Sequence, residues 1–266
     1  MLRDITLGQY YPGNSWVHSL DARIKIIATI VYIVALFIVD NFYGFIISAA
    51  ALGAVIAVSK VPLRFILRGL KPVFIIIIFT FVLNLFMVKG DVIWSLGFLH
   101  ITRQGVRTAV FLGIRLVLLI IGSSMLTLIT KPISLTDGIE KLLSPMKKIG
   151  VPAHELAMMM TIALRFIPTL LEETDKIMKA QQARGADFES GNLIRRAKSL
   201  IPILVPLFIS AFRIASELAM AMEARCYRGD EGRTRMNEMK LEGRDAVAGL
   251  LLAAFLAATI AEAVIL

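Results

Sequence analysis

The sequence predicts an all-α, polytopic membrane protein: about five transmembrane helices plus long amphipathic helices on the cytoplasmic side. Three observations point there. Hydrophobic residues make up 57% of the chain and its mean hydropathy is +0.76, above the roughly 45–50% apolar content of soluble domains. Only 18% of residues are charged, yet the net charge is +9, which fits a basic cytoplasmic face against membrane lipid. No nucleic-acid partner is expected. The apolar residues also fall in runs close to the roughly twenty residues that a helical crossing needs.

The spans follow in order. The first covers 24–39, with Arg23 and Lys25 at its start, and the second covers 42–58 after a tight turn near Gly44. The third, 73–88, is flanked by Lys71 and Lys89; the fourth covers 106–129 and the last 246–266. With no cleavable signal pattern at the start, the first span is expected to serve as the insertion signal. Basic residues set orientation. The loop 59–72 carries Lys60, Arg64, Arg68 and Lys71, and the section 131–245 carries eighteen Lys and Arg. Both are therefore expected inside with the N-terminus, and five spans leave the C-terminus outside. The domains read as 1–130 (membrane part), 131–245 (cytoplasmic or interfacial helices) and 246–266 (final span).

Within 131–245, a short helix is expected near 137–146. A long one covers 153–184, with Leu156, Met160, Ala163, Ile167, Leu170, Thr174 and Ile177 at steps of three and four forming one stripe. Another starts near Pro202 and ends near Tyr227. Its first half is apolar enough for a crossing over 200–222. However, Pro202, Pro206, Arg213 and Glu217 favour a helix lying in the membrane interface. Pro168, Pro202 and Pro206 are expected bends; Gly185, Gly191 and Gly229 are expected joints. A Met-rich surface (Met158, Met159, Met160, Met178, Met220, Met222) suits either packing between the two helices or repacking against different partners.

The two long helices end alike. Ala180, Ala183, Arg184 and Gly185 are matched by Ala221, Ala224, Arg225 and Cys226. Alanines at these spacings leave one helix face low, and an arginine at the tip offers a planar fork of donors suited to carboxylates. A single arginine at a helix C-terminus needs only the helix dipole to explain it. Two with the same preceding alanines read as the prongs of one plug, seated in a partner with two similar sockets.

Other chemistry is missing. There is no phosphate loop and no metal-ligand spacing. Cys226, the single cysteine, excludes an intrachain disulfide. No catalytic, cofactor-binding or metal-binding residue is assigned. Arg115 and Asn84 are the obvious polar or charged residues at mid-depth in the spans. Arg115 is a functional candidate, or snorkels, or pairs with a nearby carbonyl. Asn84 reads as interhelical glue. So little polar lining argues against a stand-alone carrier or channel. The lack of clustered acidic or histidine residues argues against an enzyme acting on lipid.

Four stretches resemble a known family, and together they cover nearly the whole chain. GNSWVHSLDARIK (13–25) is similar to an N-terminal motif Gly-x-Ser-x-x-His-x-Leu-Asp-Pro-Arg-x-Lys, with Ala22 in place of proline. LRFIP (164–168) resembles its Leu-Arg-Phe-x-Pro segment. AQQARG and AMEARC match its paired Ala-Arg-Gly signatures, with Cys226 in place of the second glycine. The family is the transmembrane T-component, EcfT, of energy-coupling factor (ECF) transporters, bacterial importers of vitamins and some metal ions. The resemblance implies that Ala183, Arg184, Gly185, Ala224, Arg225 and Cys226 dock two ATP-binding-cassette ATPases, identical or paralogous, one per arginine. ATP would be bound by those partners. A small membrane-embedded S-component would carry the substrate and set specificity, meeting Met159, Met160, Ile167, Leu207, Leu218 and Met222.

Overall fold

The computed structural model describes residues 10–96, 99–188, 192, 194, 198–229 and 239–265. Its elements are α1 (Ala22–Ile38), α2 (Phe42–Ser59), α3 (Leu63–Leu70), α4 (Phe74–Met87), β1 (Val92–Leu96), β2 (Leu99–Thr102), α5 (Arg103–Ile129), α6 (Pro132–Leu143), a 3-10 helix (Ser144–Ile149), α7 (Ala153–Ala183), α8 (Ile201–Ala224) and α9 (Gly243–Ile265). They fall into two compact units: α1 to α6 with α9, and α7 with α8.

In the first unit α5 is the centre, packed by α1, α2, α3 and α4, while α9 lies against α1 and α2. Its long apolar run places Leu118, Met125, Leu128 and Ile129 in a core shared with Leu36, Phe45, Leu52 and Ile66. The fourth predicted span starts three residues late, because Thr102 caps α5 by accepting from the Gly105 amide at 3.0 Å.

Two elements were not expected. The 59–72 loop contains α3, where Leu63, Ile66, Leu67 and Leu70 share one arc and Arg64 and Arg68 another. This is a helical pattern too short to stand out in a search for spans. The 89–107 loop contains the antiparallel pair β1–β2, with Val92 opposite Thr102 and Leu96 opposite Leu99. Val92, Ile93 and Trp94 suit a strand. Gln104 closes the base, its carbonyl accepting from the Asp91 amide at 2.8 Å and its amide donating to the Asp91 carboxylate at 3.0 Å.

Among the described residues, five helices are long and apolar enough to cross a membrane: α2, α5, α7, α8 and α9; α3 and α4, bent by 57° at their break, qualify together. The chain is thus an all-α multi-pass membrane protein. The first predicted span forms α1, of 17 residues, and the third forms α4, whose 14 residues make it shorter than expected. Both α7 and α8 meet the length and composition required of a span, as the reading of 200–222 allowed for α8. Each runs as one helix through its internal proline, Pro168 or Pro206, and Pro202 sits in the first turn of α8, where no helical N–H is lost. Gly191 lies outside the described residues.

Candidate functional site: two matched helix ends

The ends of α7 and α8 adopt the same backbone. Arg184 (φ −86°, ψ 5°) and Arg225 (φ −93°, ψ 12°) are the capping residues. The next residue is left-handed in both, Gly185 at φ 87° and Cys226 at φ 54°. At the first end the Gly185 amide donates to the Gln182 carbonyl at 2.9 Å and the Ala186 amide to Gln181 at 3.0 Å. At the second, the Cys226 amide donates to Glu223 at 2.9 Å and the Tyr227 amide to Met222 at 3.0 Å. This pair of reversed bonds is the Schellman motif, which satisfies the last carbonyls of a helix. Cys226 therefore does what glycine does at the first end, against a left-handed cost of roughly 1–2 kcal/mol for an L-residue. Gly185 and Gly229 (φ 82°), two of the expected joints, both take the left-handed turn conformation.

Both arginines are exposed, as are Ala183, Gly185, Ala224 and Cys226. Neither guanidinium bonds to a described side chain. The ends are not adjacent prongs, however. Gln181 donates to the Pro202 carbonyl at 3.3 Å, Ser210 to Glu173 at 3.3 Å, and the Tyr227 hydroxyl to the Met158 sulfur at 3.0 Å. The helices are antiparallel, so Arg184 and Arg225 lie at opposite ends of the pair. The stretch of α7 from Met158 to Arg184 spans roughly 40 Å at 1.5 Å per residue. The single-plug expectation is corrected to two separated tips. Similar sequence at two C-termini cannot distinguish parallel from antiparallel packing.

The stripe predicted on α7 is also displaced. A cleft of about 300 Å³ between the helices is lined by Ile162, Phe166 and Leu170 of α7 and by Ala211, Ile214 and Leu218 of α8, with Met222 at one end. Of the predicted stripe, Leu170 faces this cleft, while Leu156 and Met160 are exposed. The first half of α7 is apolar nearly all round, so steps of three and four trace more than one face. The proposed S-component residues divide accordingly. Leu218 and Met222 line the cleft, Met159 and Met160 are exposed, and Ile167 and Leu207 are half-buried.

The contact between Tyr227 and His154 escaped the sequence reading. The His154 ring nitrogen Nε2 lies 3.2 Å from the Tyr227 hydroxyl, so the end of α8 is fastened to the start of α7. A tyrosine two places after the signature arginine was the available signal.

The N-terminal motif in the first unit is a structural knot. Gly13 lets the His18 ring lie where a β-carbon would come within 2.9 Å of it. The Nε2–H of His18 donates to the Tyr11 carbonyl at 3.1 Å, leaving Nδ1 to accept from the Ser15 hydroxyl at 2.7 Å. Burial holds the His18 pKa below its ordinary value, as does nearby Lys25, and the Tyr11 bond only partly offsets them. Lys25, almost fully buried, donates to the carbonyls of His18 (2.8 Å) and Ile129 (3.2 Å). Asp21 caps α1; burial would raise its pKa, but bonds from Arg23 hold it below the ordinary value. The Asp21 amide in turn donates to Asp245 of α9 at 2.8 Å. Ala22, where the family motif has proline, is the first residue of α1, a position that either residue suits.

Arg115 pairs with the Val39 carbonyl and with Asp40 at 3.2 Å, and lies 5.6 Å from the centre of the Phe45 ring. It bridges α5 to the turn before α2. Asn84 donates to Thr80 of its own helix at 2.8 Å, so its amide N–H does not bridge helices as expected. Among the described residues no three His, Cys, Asp or Glu group together to hold a metal.

Fold and site together define the class: a multi-pass, all-α membrane protein with two arginine-capped helix ends. The comparisons give the particular family. Residues 13–236 match the model of CbiQ, the cobalt transport protein family. The "Energy-coupling factor transporter transmembrane protein EcfT" of Clostridium kluyveri is 62% identical over 252 residues, 94% of this chain and 93% of its own length. That of Thermosediminibacter oceani is 59% identical over 256 residues (96% and 94%), and that of Bacillus subtilis 46% over 260 (96% and 98%). The chain belongs to this family of energy-coupling factor transporter transmembrane proteins.

Proposed function

We propose that this chain is the non-catalytic coupling subunit of an ATP-driven importer of vitamins or other micronutrients in a bacterial cell membrane. Arg184 and Arg225 each dock one of two ABC-type ATPases, which bind the ATP. The motion passes along α7 and α8 to a substrate-binding S-component. The N-terminus, α7 and α8 lie on the cytoplasmic side and the C-terminus outside, as the eighteen basic residues of 131–245 favour.

The observation that carries this reading is the twinned cap. Two helix ends share one backbone geometry down to the reversed bonds, and each presents an exposed guanidinium without a described partner. A dipole-favouring surface arginine does not need its cap copied at the far end of the helix pair. Opposite placement gives each ATPase its own tip, and α7, 31 residues long, is a lever of roughly 45 Å. The exposed apolar residues of α8, including Phe208 and Phe212, and Met159 and Met160 of α7 leave surface for the S-component.

Carrying Arg184→Ala and Arg225→Ala together should abolish recovery of the ATPases with the tagged chain in detergent. Undiminished recovery removes the docking assignment. Loss of uptake with the complex intact would instead assign the arginines to coupling.

A further inference from the structure

We propose that α3 lies in the membrane–water interface and that Arg64 and Arg68 bind the phosphate groups of anionic phospholipid. This inference does not depend on the coupling role.

The roll of α3 about its axis is fixed by its packing. Ile66 is 2% exposed. Gly69 faces α5 so closely that a β-carbon would stand 3.1 Å from the Ser124 hydroxyl oxygen. With that side occupied, two other sectors face outward. Leu63 and Leu67, one turn apart, are 64% and 58% exposed. Arg64 and Arg68, also one turn apart, are exposed on the adjoining sector. The 57° bend then turns the chain into α4, where Phe74, Ile75 and Ile76 are all exposed. The leucine sector thus continues into an apolar surface suited to acyl chains. A short helix set at 57° to the apolar helix α4, with leucines beside arginines, matches an interfacial segment: apolar side chains in the acyl boundary and cations among the headgroups.

The charges point to an external anion. No Asp or Glu occurs between Asp40 and Asp91, while Lys60, Arg64, Arg68 and Lys71 cluster around α3. None of these four forms an ion pair with a described residue, whereas Arg23, Arg115, Lys176 and Arg244 each do. Arg68 lies 5.6 Å from the Phe65 ring centre, a contact that leaves its N–H fork available. Guanidinium forks match phosphate oxygens in a bidentate manner, and residues at i and i+4 stand side by side on a helix. An acidic protein could satisfy the arginines, but it would not account for leucines that run on into the apolar face of α4.

The test uses the full chain in nanodiscs of equal parts phosphatidylglycerol and phosphatidylcholine, followed by native mass spectrometry of retained lipid. Phosphatidylglycerol should be retained preferentially. R64Q/R68Q should reduce that preference by at least about fivefold, the effect expected of one basic residue at the surface. K176Q/K179Q, which removes the same charge from α7, should leave it unchanged. Equal retention of the two lipids by the unaltered chain overturns the proposal, as does unchanged preference in R64Q/R68Q. If R64Q/R68Q loses the ATPases from the assembled complex while lipid preference persists, the anion belongs to a protein and the proposal also fails.

Discussion

The ends of α7 and α8 share one cap but differ in what holds them. The first has glycine in the left-handed position, and its nearest described tie to the neighbouring helix is a 3.3 Å bond from Gln181 to Pro202. The second has Cys226 there, yet Tyr227 fastens it to Met158 and His154. A conformation that glycine adopts without strain is thus held at the other end alongside tertiary bonds. The arginine is presented alike in both, so the geometry of presentation is what the two ends have in common, and the glycine is one means of reaching it.

The largest expected effect bears on that common feature. If each guanidinium is buried against a carboxylate in its ATPase, either Arg184→Ala or Arg225→Ala should cost about 2–5 kcal/mol at its own contact. Titrating ATPase binding to each single variant checks this. Similar losses sustain the equivalence of the ends, and a loss confined to one breaks it.

The next effects concern the caps, read as unfolding midpoints of the purified chain. Gly185→Ala places a β-carbon at φ 87° and should destabilise the end of α7 by about 1–2 kcal/mol. Tyr227→Phe removes the bond to Met158 and should cost about 1 kcal/mol, with faster amide exchange at the end of α8 and none of that change at Arg184. Cys226→Gly should stabilise by about 0.5–1 kcal/mol, since relief of the left-handed cost exceeds glycine's entropic penalty, and ATPase binding should be retained. A destabilised Cys226→Gly would mean that the thiol has packing not accounted for by the cap.

The sequence made the chemistry of these ends legible but not their arrangement. Ala-x-x-Ala-Arg, with glycine or cysteine next, marks the cap because helix termination is local. Antiparallel pairing depends on contacts such as Glu173 with Ser210, 37 positions apart, and leaves no periodic trace. Long apolar runs located α2 to within a residue of its end. The eight residues of α3 fell below the length at which such a run is noticed. The setting of His18 leaves no charge pattern to read, because its partners are the Tyr11 carbonyl and the Ser15 hydroxyl. Glu262, an acidic residue inside the last predicted span, was a signal passed over. It is 8% exposed near Gly44, and both carboxyl oxygens lack a partner among the described residues.

The central claim is that two tips roughly 40 Å apart each engage one ATPase. Photo-crosslinking residues at Gln182 and Glu223, the exposed positions two before each arginine, would test it most directly in the assembled transporter. Each position alone should join the chain to an ATPase, and both together should join it to two. ATPases that stay bound and drive uptake with neither position crosslinked would contradict it.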